Sequence, residues 1–375
     1  MNTRKVTFQQ TIQYEVITTS EIFQPQNWVL LSAGRNEDTR RFVVVDENVD
    51  AHHGRDLRAY FDYHHIETKI VVFPSGEENK TLDQYLTIVH ELDSFPIHRR
   101  DEPIIAIGGG VLTDLVGFVA ASYRRGVPYI KVPTTLMGYV DASIGIKTGL
   151  NINRNKNRLG AFHAPQTVLL DKAFLNTLSH RHILNGVGEM IKLAIIKDSH
   201  LFDLLEEHGL ASVKAHFQNE ASSALLDLSI KGMLEELEPN LFEEELSRKV
   251  DFGHTFSYGM ETRNEADLLH GEAVLLDILL STLIAHSRRL LTDAETDRIF
   301  QLVNVLGYEF NTAALDARIL FASLTERTYH RNGLQRVPMP KGIGGCVFLN
   351  DINADEIESA VKILKERIIV KHELI

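Results

Sequence analysis

Short apolar segments alternate with a helical pattern early in the chain, and this alternation most constrains the fold. Residues 41–46, 66–73, 103–107 and 129–133 are rich in β-branched and aliphatic side chains, as buried strands are. A helical pattern over residues 82–92 separates two of these segments. Strands that alternate with helices form mostly parallel sheets, so we predict an α/β layer.

The pattern changes after about residue 171. Helical periodicity dominates the rest of the chain and predicts helices over 184–196, 201–210, 221–237, 268–284, 293–306 and 354–368. Shorter strands are predicted over 5–16, 28–31 and 346–349. With 375 residues, two domains are expected. We place an α/β domain at residues 1–175 and an all-α domain at residues 176–375.

Charge and cysteine content exclude several classes of protein. The formal net charge of −12 argues against nucleic acid or an anionic membrane as the main partner. No apolar run is long enough to span a bilayer. Cys346 is the single cysteine, which excludes an internal disulfide and is typical of a reducing compartment. We therefore expect a cytoplasmic protein.

Two histidines, His254 and His270, each begin an apolar run and are candidates for one metal site. The best third ligand is Glu189, a carboxylate within an otherwise apolar helical pattern. Two histidines and one glutamate leave coordination positions open, as catalytic zinc sites do. Each histidine alone is also compatible with a satisfied hydrogen bond in the core.

Two further stretches have the composition of anion-binding loops. Residues 108–110 are three glycines between a strand and an apolar helix, which suits either a bound phosphate or a tight turn. Four basic residues follow without an intervening acid, namely Lys147, Arg154, Lys156 and Arg158. They predict a phosphate pocket, and the alternative is a solvated basic loop.

Together the motifs resemble those of the sugar phosphate cyclases, the superfamily of 3-dehydroquinate synthase. The motifs occur in the family order, at residues 75–80, 108–110, 133–135, 141–147, 156–157, 188–192, 253–256 and 270–273. The resemblance implies an NAD-binding α/β domain, a helical domain, and an active site between them.

The resemblance also implies roles for individual residues. Zinc or cobalt would be held by Glu189, His254 and His270. NAD would be bound by Asp46, Asn48, Glu77, Lys80, Gly109, Gly110, Asp114, Thr134, Thr135, Lys156 and Phe174. Substrate and its phosphate would be held by Asp141, Lys147, Asn157 and Lys192, with Arg125 supplied by the second subunit of a homodimer.

The reaction implied is the cyclisation of a small sugar phosphate with loss of phosphate. NAD would be used and regenerated within each turnover, so no net redox change is expected. Every step is intramolecular, which favours catalysis by held geometry.

Three departures from dehydroquinate synthase bear on the substrate. That enzyme holds a substrate carboxylate with a lysine, an arginine and an asparagine, and the equivalent positions by spacing are Met233, Ser247 and Asp251. We expect the site to lack compensating cations, and Asp251 to repel a carboxylate and accept hydroxyl groups. These features resemble the sedoheptulose 7-phosphate cyclases that form valiolone-type cyclitols. Tyr258 departs from both branches and leaves the stereoisomer open.

Two other readings compete with the cyclase. A polyol dehydrogenase of the glycerol dehydrogenase type shares the fold and the NAD site. It would normally have an aspartate in place of Glu189 and has no need of the basic cluster. The other alternative is a nucleotide-sensing relative without turnover, against which the intact set Glu189, Lys192, His254 and His270 argues.

Overall fold

The computed structural model describes residues 3–32, 40–153, 155–263 and 268–372. Arg154, a member of the basic cluster, lies outside these residues. The two parts predicted from the sequence are present, since a parallel sheet with helices is followed by a mainly helical part. Within the described ranges, no helix is both long and apolar enough to cross a membrane.

The first part is built on a six-stranded parallel sheet in the order β1-β8-β5-β4-β2-β3. Its strands are β1 Glu15–Thr19, β2 Arg41–Asp46, β3 Thr68–Phe73, β4 Ile104–Gly108, β5 Tyr129–Pro133 and β8 Thr167–Asp171. Strands β2, β4 and β5 have almost no exposed side chains because helices cover both faces.

The helices of this part begin at the carboxyl ends of the strands. They are α1 Val29–Ser32, α2 Glu47–Tyr63, α3 Leu82–Ser94 and α4 Gly110–Ser122. Asp46 and Thr81 cap α2 and α3 with their side chains, whereas Gly109 precedes α4 without a side-chain cap. The first turn of α4 therefore presents bare backbone N–H groups at the edge of the sheet where ligands bind in such folds.

An antiparallel hairpin, β6 Lys147–Ile152 and β7 Asn155–Phe162, carries the basic cluster. The sequence pattern predicts a loop over this stretch, and that prediction is wrong. Its alternation is weak because β7 is half exposed along most of its length, so strand periodicity was not visible.

The second part contains eight helices among the described residues, with one small hairpin of β9 Val337–Pro340 and β10 Cys346–Leu349. The helices are α5 His180–Ile196, α6 Ser199–Lys214, α7 Glu220–Leu237, α8 Ser257–Arg263, α9 His270–Ser287, α10 Asp293–Val305, α11 Ala317–His330 and α12 Ala354–His372. The boundary between residues 175 and 176 stays a prediction, because the main core joins Tyr139 and Leu170 to these helices.

Two predicted strands are wrong. Residues 5–14 have no regular secondary structure, and the strand is Glu15–Thr19. Val6 and Phe8 are 93% and 83% exposed, so their alternation has no partner strand within the described residues. Residues 28–31 overlap the short helix α1, whose Leu30 and Leu31 enter the core. Alternation over four residues cannot distinguish a strand from one buried helical turn.

Two glycines allow α5 and α9 to approach each other closely. A Cβ on Gly188 would lie 2.8 Å from the carbonyl oxygen of Gly271, and one on Gly271 would lie 1.9 Å from that of Asn185. Both obstacles are backbone atoms, which cannot move aside as a side chain can. The contact brings Glu189, on α5, next to His270, the first residue of α9.

Replacing Gly271 with alanine should push these helices apart. We expect the free energy of unfolding to fall by about 1–3 kcal/mol, the usual cost of overpacking. Gly232→Ala on α7 is the matched control, because the nearest atom to its Cβ would be 3.8 Å away. That variant should be unchanged or stabilised by about 0.5–1 kcal/mol. Denaturant unfolding measures both, and equal stabilities would contradict the packing argument.

Candidate active site

One cavity of about 1210 Å³ lies where the carboxyl ends of the strands face the helical part. All eleven residues predicted to bind NAD line it. So do five of the six predicted substrate residues, namely Asp141, Lys147, Asn157, Lys192 and Asp251. Arg125 does not, and it lies on an exposed turn.

The three predicted metal ligands converge beside this cavity. The ligand atoms of Glu189, His254 and His270 all lie within 4.8 Å of one another. The Nε2 atoms of His254 and His270 are 3.8 Å and 3.5 Å from Oε1 of Glu189. This Oε1 is buried and accepts no hydrogen bond from the described residues. An unpaired buried carboxylate oxygen facing two imidazoles fits a divalent cation.

Hydrogen bonds fix which nitrogen each histidine offers. Nδ1 of His254 is 3.1 Å from the carbonyl oxygen of Phe252, to which it can only donate. Nδ1 of His270 lies 3.1 Å from a carboxylate oxygen of Glu261 and donates there in the same way. Both rings therefore turn Nε2 towards Glu189, the nitrogen that a metal-binding imidazole offers once it is deprotonated.

Glu189 and His254 are in the protonation states that a divalent cation requires of its ligands. Burial lowers the pKa of His254 to about 3, so its ring is neutral at pH 7. Burial also opposes protonation of His270, but the carboxylates of Glu261 and Glu189 raise its pKa to about 10. Although burial acts in the other direction, Lys192 and the two histidines hold the pKa of Glu189 well below its ordinary value. The carboxylate is therefore ionised and available as a ligand.

Glu261 is a functional candidate that the sequence analysis missed. Its side chain is almost fully buried, and its two oxygens bind His270 and the Nζ atom of Lys156, the latter at 2.5 Å. Against the effect of burial, these two neighbours lower the pKa of Glu261 to about 2. Glu261 follows His254 by seven residues, but His254 precedes α8, so helical spacing gave no signal for this pair.

The predicted NAD residues form a continuous surface at the ends of β2, β4 and β5. Oδ1 of Asp46 accepts hydrogen bonds from the backbone of Asn48 and the hydroxyl of Ser75. A Cβ on Gly109 would lie 3.1 Å from Thr135, so glycine keeps this approach to α4 open. Bare N–H groups and an open backbone suit a pyrophosphate.

The side chains predicted to bind the phosphate do not converge on one point. Nζ of Lys192 lies 2.5 Å from Glu189 and 3.4 Å from Asp141. Lys147 pairs with Glu243 at 2.5 Å. Asn157 accepts a hydrogen bond from Lys80 at 2.7 Å. Apart from Glu189, the residues in these contacts line the one cavity, so an anion entering it would meet several cations that are now bound to carboxylates.

The surroundings of Asp251 differ from the prediction that no cation compensates its negative charge. Three arginines surround it, since Arg248 forms a direct ion pair, Arg331 lies at 3.1 Å and Arg327 at 3.8 Å. The expectation that no cation is present was therefore wrong. That expectation was based on Ser247, which does not line the cavity, whereas the neighbouring Arg248 does. Arg327 and Arg331 come from the end of α11, about 80 residues away, and spacing from His254 could not find them.

Comparison with known proteins gives matches over most of the chain. The family model for the 3-dehydroquinate synthase N-terminal region matches residues 70–185, and that for the C-terminal region matches residues 186–328. A 2-epi-5-epi-valiolone synthase from Streptomyces albus is 49% identical over 96% of this chain and 89% of its own length. Another, from an Actinomyces species, is 45% identical over 96% of both.

A solved structure matches the whole fold. ValA, the 2-epi-5-epi-valiolone synthase of Streptomyces hygroscopicus subsp. jinggangensis, superposes with a TM-score of 0.93. It is 41% identical, and the match covers 97% of this chain and 99% of that one. That structure contains NAD⁺ and Zn²⁺.

Replacing Glu261 with glutamine should weaken metal binding without removing a ligand. The amide can present its NH₂ group to His270 and leave Nε2 without a fixed orientation, and changes of this kind cost about 10–100-fold in metal affinity. Competition for zinc with a chromophoric chelator measures this directly. Glu295→Gln on α10 is the control for a lost carboxylate remote from the site, and it should bind zinc normally. Equal affinities in both variants would exclude a positioning role for Glu261.

Proposed function

Because the chain belongs to the 3-dehydroquinate synthase family, we propose that it cyclises sedoheptulose 7-phosphate to 2-epi-5-epi-valiolone with loss of phosphate. Relatives that cover nearly the whole chain at 45% and 49% identity carry that activity in their names. The observation that carries the proposal is the convergence of Glu189, His254 and His270 on a cavity that also holds the cofactor and phosphate candidates.

NAD is the proposed cofactor of this cavity. Gly109 and Gly110, at the start of α4, would hold the pyrophosphate through backbone N–H groups, and Asp46 would accept hydroxyl groups of a ribose. The open cradle between Gly109 and Thr135 supports this placement. When bound, NAD supplies reversible hydride transfer. The residues predicted to bind NAD would hold it in the cavity that His254 and His270 also line.

Zinc, or cobalt, is the proposed metal, since imidazole and carboxylate donors suit both ions. Glu189, His254 and His270 would hold it, and the unpaired Oε1 of Glu189 supports that assignment. The ion supplies polarisation of substrate oxygens. Lys192 contacts Glu189 and lies 3.4 Å from Asp141. Burial raises the pKa of Asp141 to about 6, an effect that Lys192 partly offsets.

We place the phosphate of the substrate among Lys147, Asn157 and Lys192, with Arg125 reaching in from a second subunit. Lys147 and Lys192 can exchange their present carboxylate partners for phosphate oxygens. Arg125 is exposed, and both it and Arg124 have a left-handed backbone in the turn between α4 and β5. This arrangement requires a homodimer. The absence of a cysteine pair and the soluble substrate are typical of a cytoplasmic enzyme.

The substrate assignment predicts the outcome of a direct assay. Purified protein with zinc and NAD should release inorganic phosphate from sedoheptulose 7-phosphate while absorbance at 340 nm stays flat, because NAD is regenerated in each turnover. NMR of the product distinguishes 2-epi-5-epi-valiolone from 2-epi-valiolone. The seven-carbon acid substrate of dehydroquinate synthase should react at least about 100-fold more slowly in kcat/KM, a difference of about 2.7 kcal/mol. Stoichiometric NADH release would instead favour a polyol dehydrogenase.

The dimer assignment predicts complementation between two inactive variants. Arg125→Ala and Lys192→Ala should each lack activity alone. Mixed one to one and allowed to exchange subunits, they should recover up to roughly one quarter of full activity, since half of the dimers then contain one intact site of two. The double variant Arg125→Ala/Lys192→Ala mixed with either single variant is the control and should recover none. No recovery in the first mixture would place Arg125 within its own subunit.

A further inference from the structure

A group of three arginines at one end of the cavity meets a single carboxylate. Arg248, Arg327 and Arg331 line the cavity, and the side chain of Asp251 lies among them. Arg331 and Asp251 are 3% and 8% exposed as whole residues. This end of the cavity is therefore cationic and largely shielded from water.

The arginines keep this arrangement through contacts of their own. Nη1 of Arg331 donates to the carbonyl oxygen of Gln335 at 2.7 Å. Arg248 also pairs with Glu243, and Glu243 in turn pairs with Lys147. The guanidinium groups of Arg248 and Arg331 are thus positioned by neighbours other than Asp251, as residues in a built anion site are.

The donors around Asp251 exceed what one carboxylate can accept. Nε of Arg327 is buried and has no hydrogen-bond partner among the described residues, and its Nη2 is 3.8 Å from Asp251. Burial alone would raise the pKa of Asp251, but the three arginines hold it well below its ordinary value. The carboxylate is therefore permanently ionised, and it occupies the position that a carboxylate ligand of these arginines would take.

We propose that Arg248, Arg327 and Arg331 form a carboxylate-binding site that Asp251 fills from within the chain, and that this self-occupation excludes acid substrates. A carboxylate on the substrate would have to displace the side chain of Asp251 or lie against it as a like charge. A neutral ketose meets no such competition. The role in substrate choice rests on the proposed function, whereas the binding site itself does not.

The test is to empty the site and offer it a small carboxylate. In Asp251→Ala, loaded with zinc and NAD, the midpoint of thermal unfolding should rise with sodium formate and then follow a saturating binding curve. A ligand of three heavy atoms limits the dissociation constant to roughly 1 mM or weaker. Sodium chloride at the same ionic strength should give a smaller rise. The unmodified protein should respond equally to the two salts.

Two variants separate a filled site from a change in charge. Asp251→Asn removes the same charge but leaves the space occupied, so formate should have no specific effect. Asp251→Ala/Arg331→Met empties the space but removes the most buried arginine, and the formate effect should be lost. A formate response that persists in the double variant, or that chloride reproduces fully in Asp251→Ala, would overturn the proposal.

Refolding covers the case in which Asp251→Ala is too unstable for a melting curve. Its yield of native protein on dilution from urea should increase with formate and saturate, and a yield independent of formate would overturn the proposal.

The role of Asp251 in substrate specificity is tested by a separate measurement. Asp251→Ala should bind the acid substrate of dehydroquinate synthase at least about tenfold more tightly than the unmodified protein, about 1.4 kcal/mol. Formate binding without this gain would refute self-occupation as the basis of specificity, and absence of cyclase activity alone would refute only the proposed function.

Discussion

The buried carboxylate of Glu189 is the constraint on which the site depends. A charge at this depth is costly unless it is compensated, and the compensation comes from Lys192 on the same helix and two imidazoles from other segments. These groups can meet only because Gly188 and Gly271 let α5 and α9 approach within backbone contact. The arrangement of the predicted metal ligands therefore depends on how closely α5 and α9 pack, since a change in the helix separation moves the ligand atoms directly.

The hairpin β6–β7 connects that centre to the sheet. Three of its basic residues each pair with an acid in the helical part, Lys147 with Glu243, Lys156 with Glu261 and Arg158 with Glu326. Exposed pairs of this kind contribute little to stability, and Lys147 and Arg158 are largely exposed. Lys156 differs because Glu261 is buried and also orients His270. One carboxylate thus joins a predicted cofactor residue to a predicted metal ligand.

The sequence predicted those features that repeat locally. Strands β2 and β4 and the helices from α5 to α10 follow from apolar periodicity, apart from the short α8, and the family motifs led to residues that line one cavity. The alternation of polar and apolar residues around Val6 and Phe8 led to a wrong strand prediction. A period of two does not show whether a neighbouring strand exists, and both side chains are exposed. The hairpin was missed for the opposite reason, as β7 is too exposed to alternate clearly. Contacts such as Glu261 with Lys156 span 105 residues and leave no local pattern.

Asp251 shows why reading charge position by position fails inside a cavity. Considered with Met233 and Ser247 it suggests an uncompensated negative charge, yet the field at a buried point is the sum over all neighbours, including α11. Arginines brought from 76 and 80 residues away reverse the expected sign. The same three cations would attract a substrate carboxylate if Asp251 did not already accept hydrogen bonds from Arg248 and Arg331. The arginines then bind Asp251 in preference to a substrate carboxylate. Because Asp251 is part of the chain, its binding costs no entropy of association.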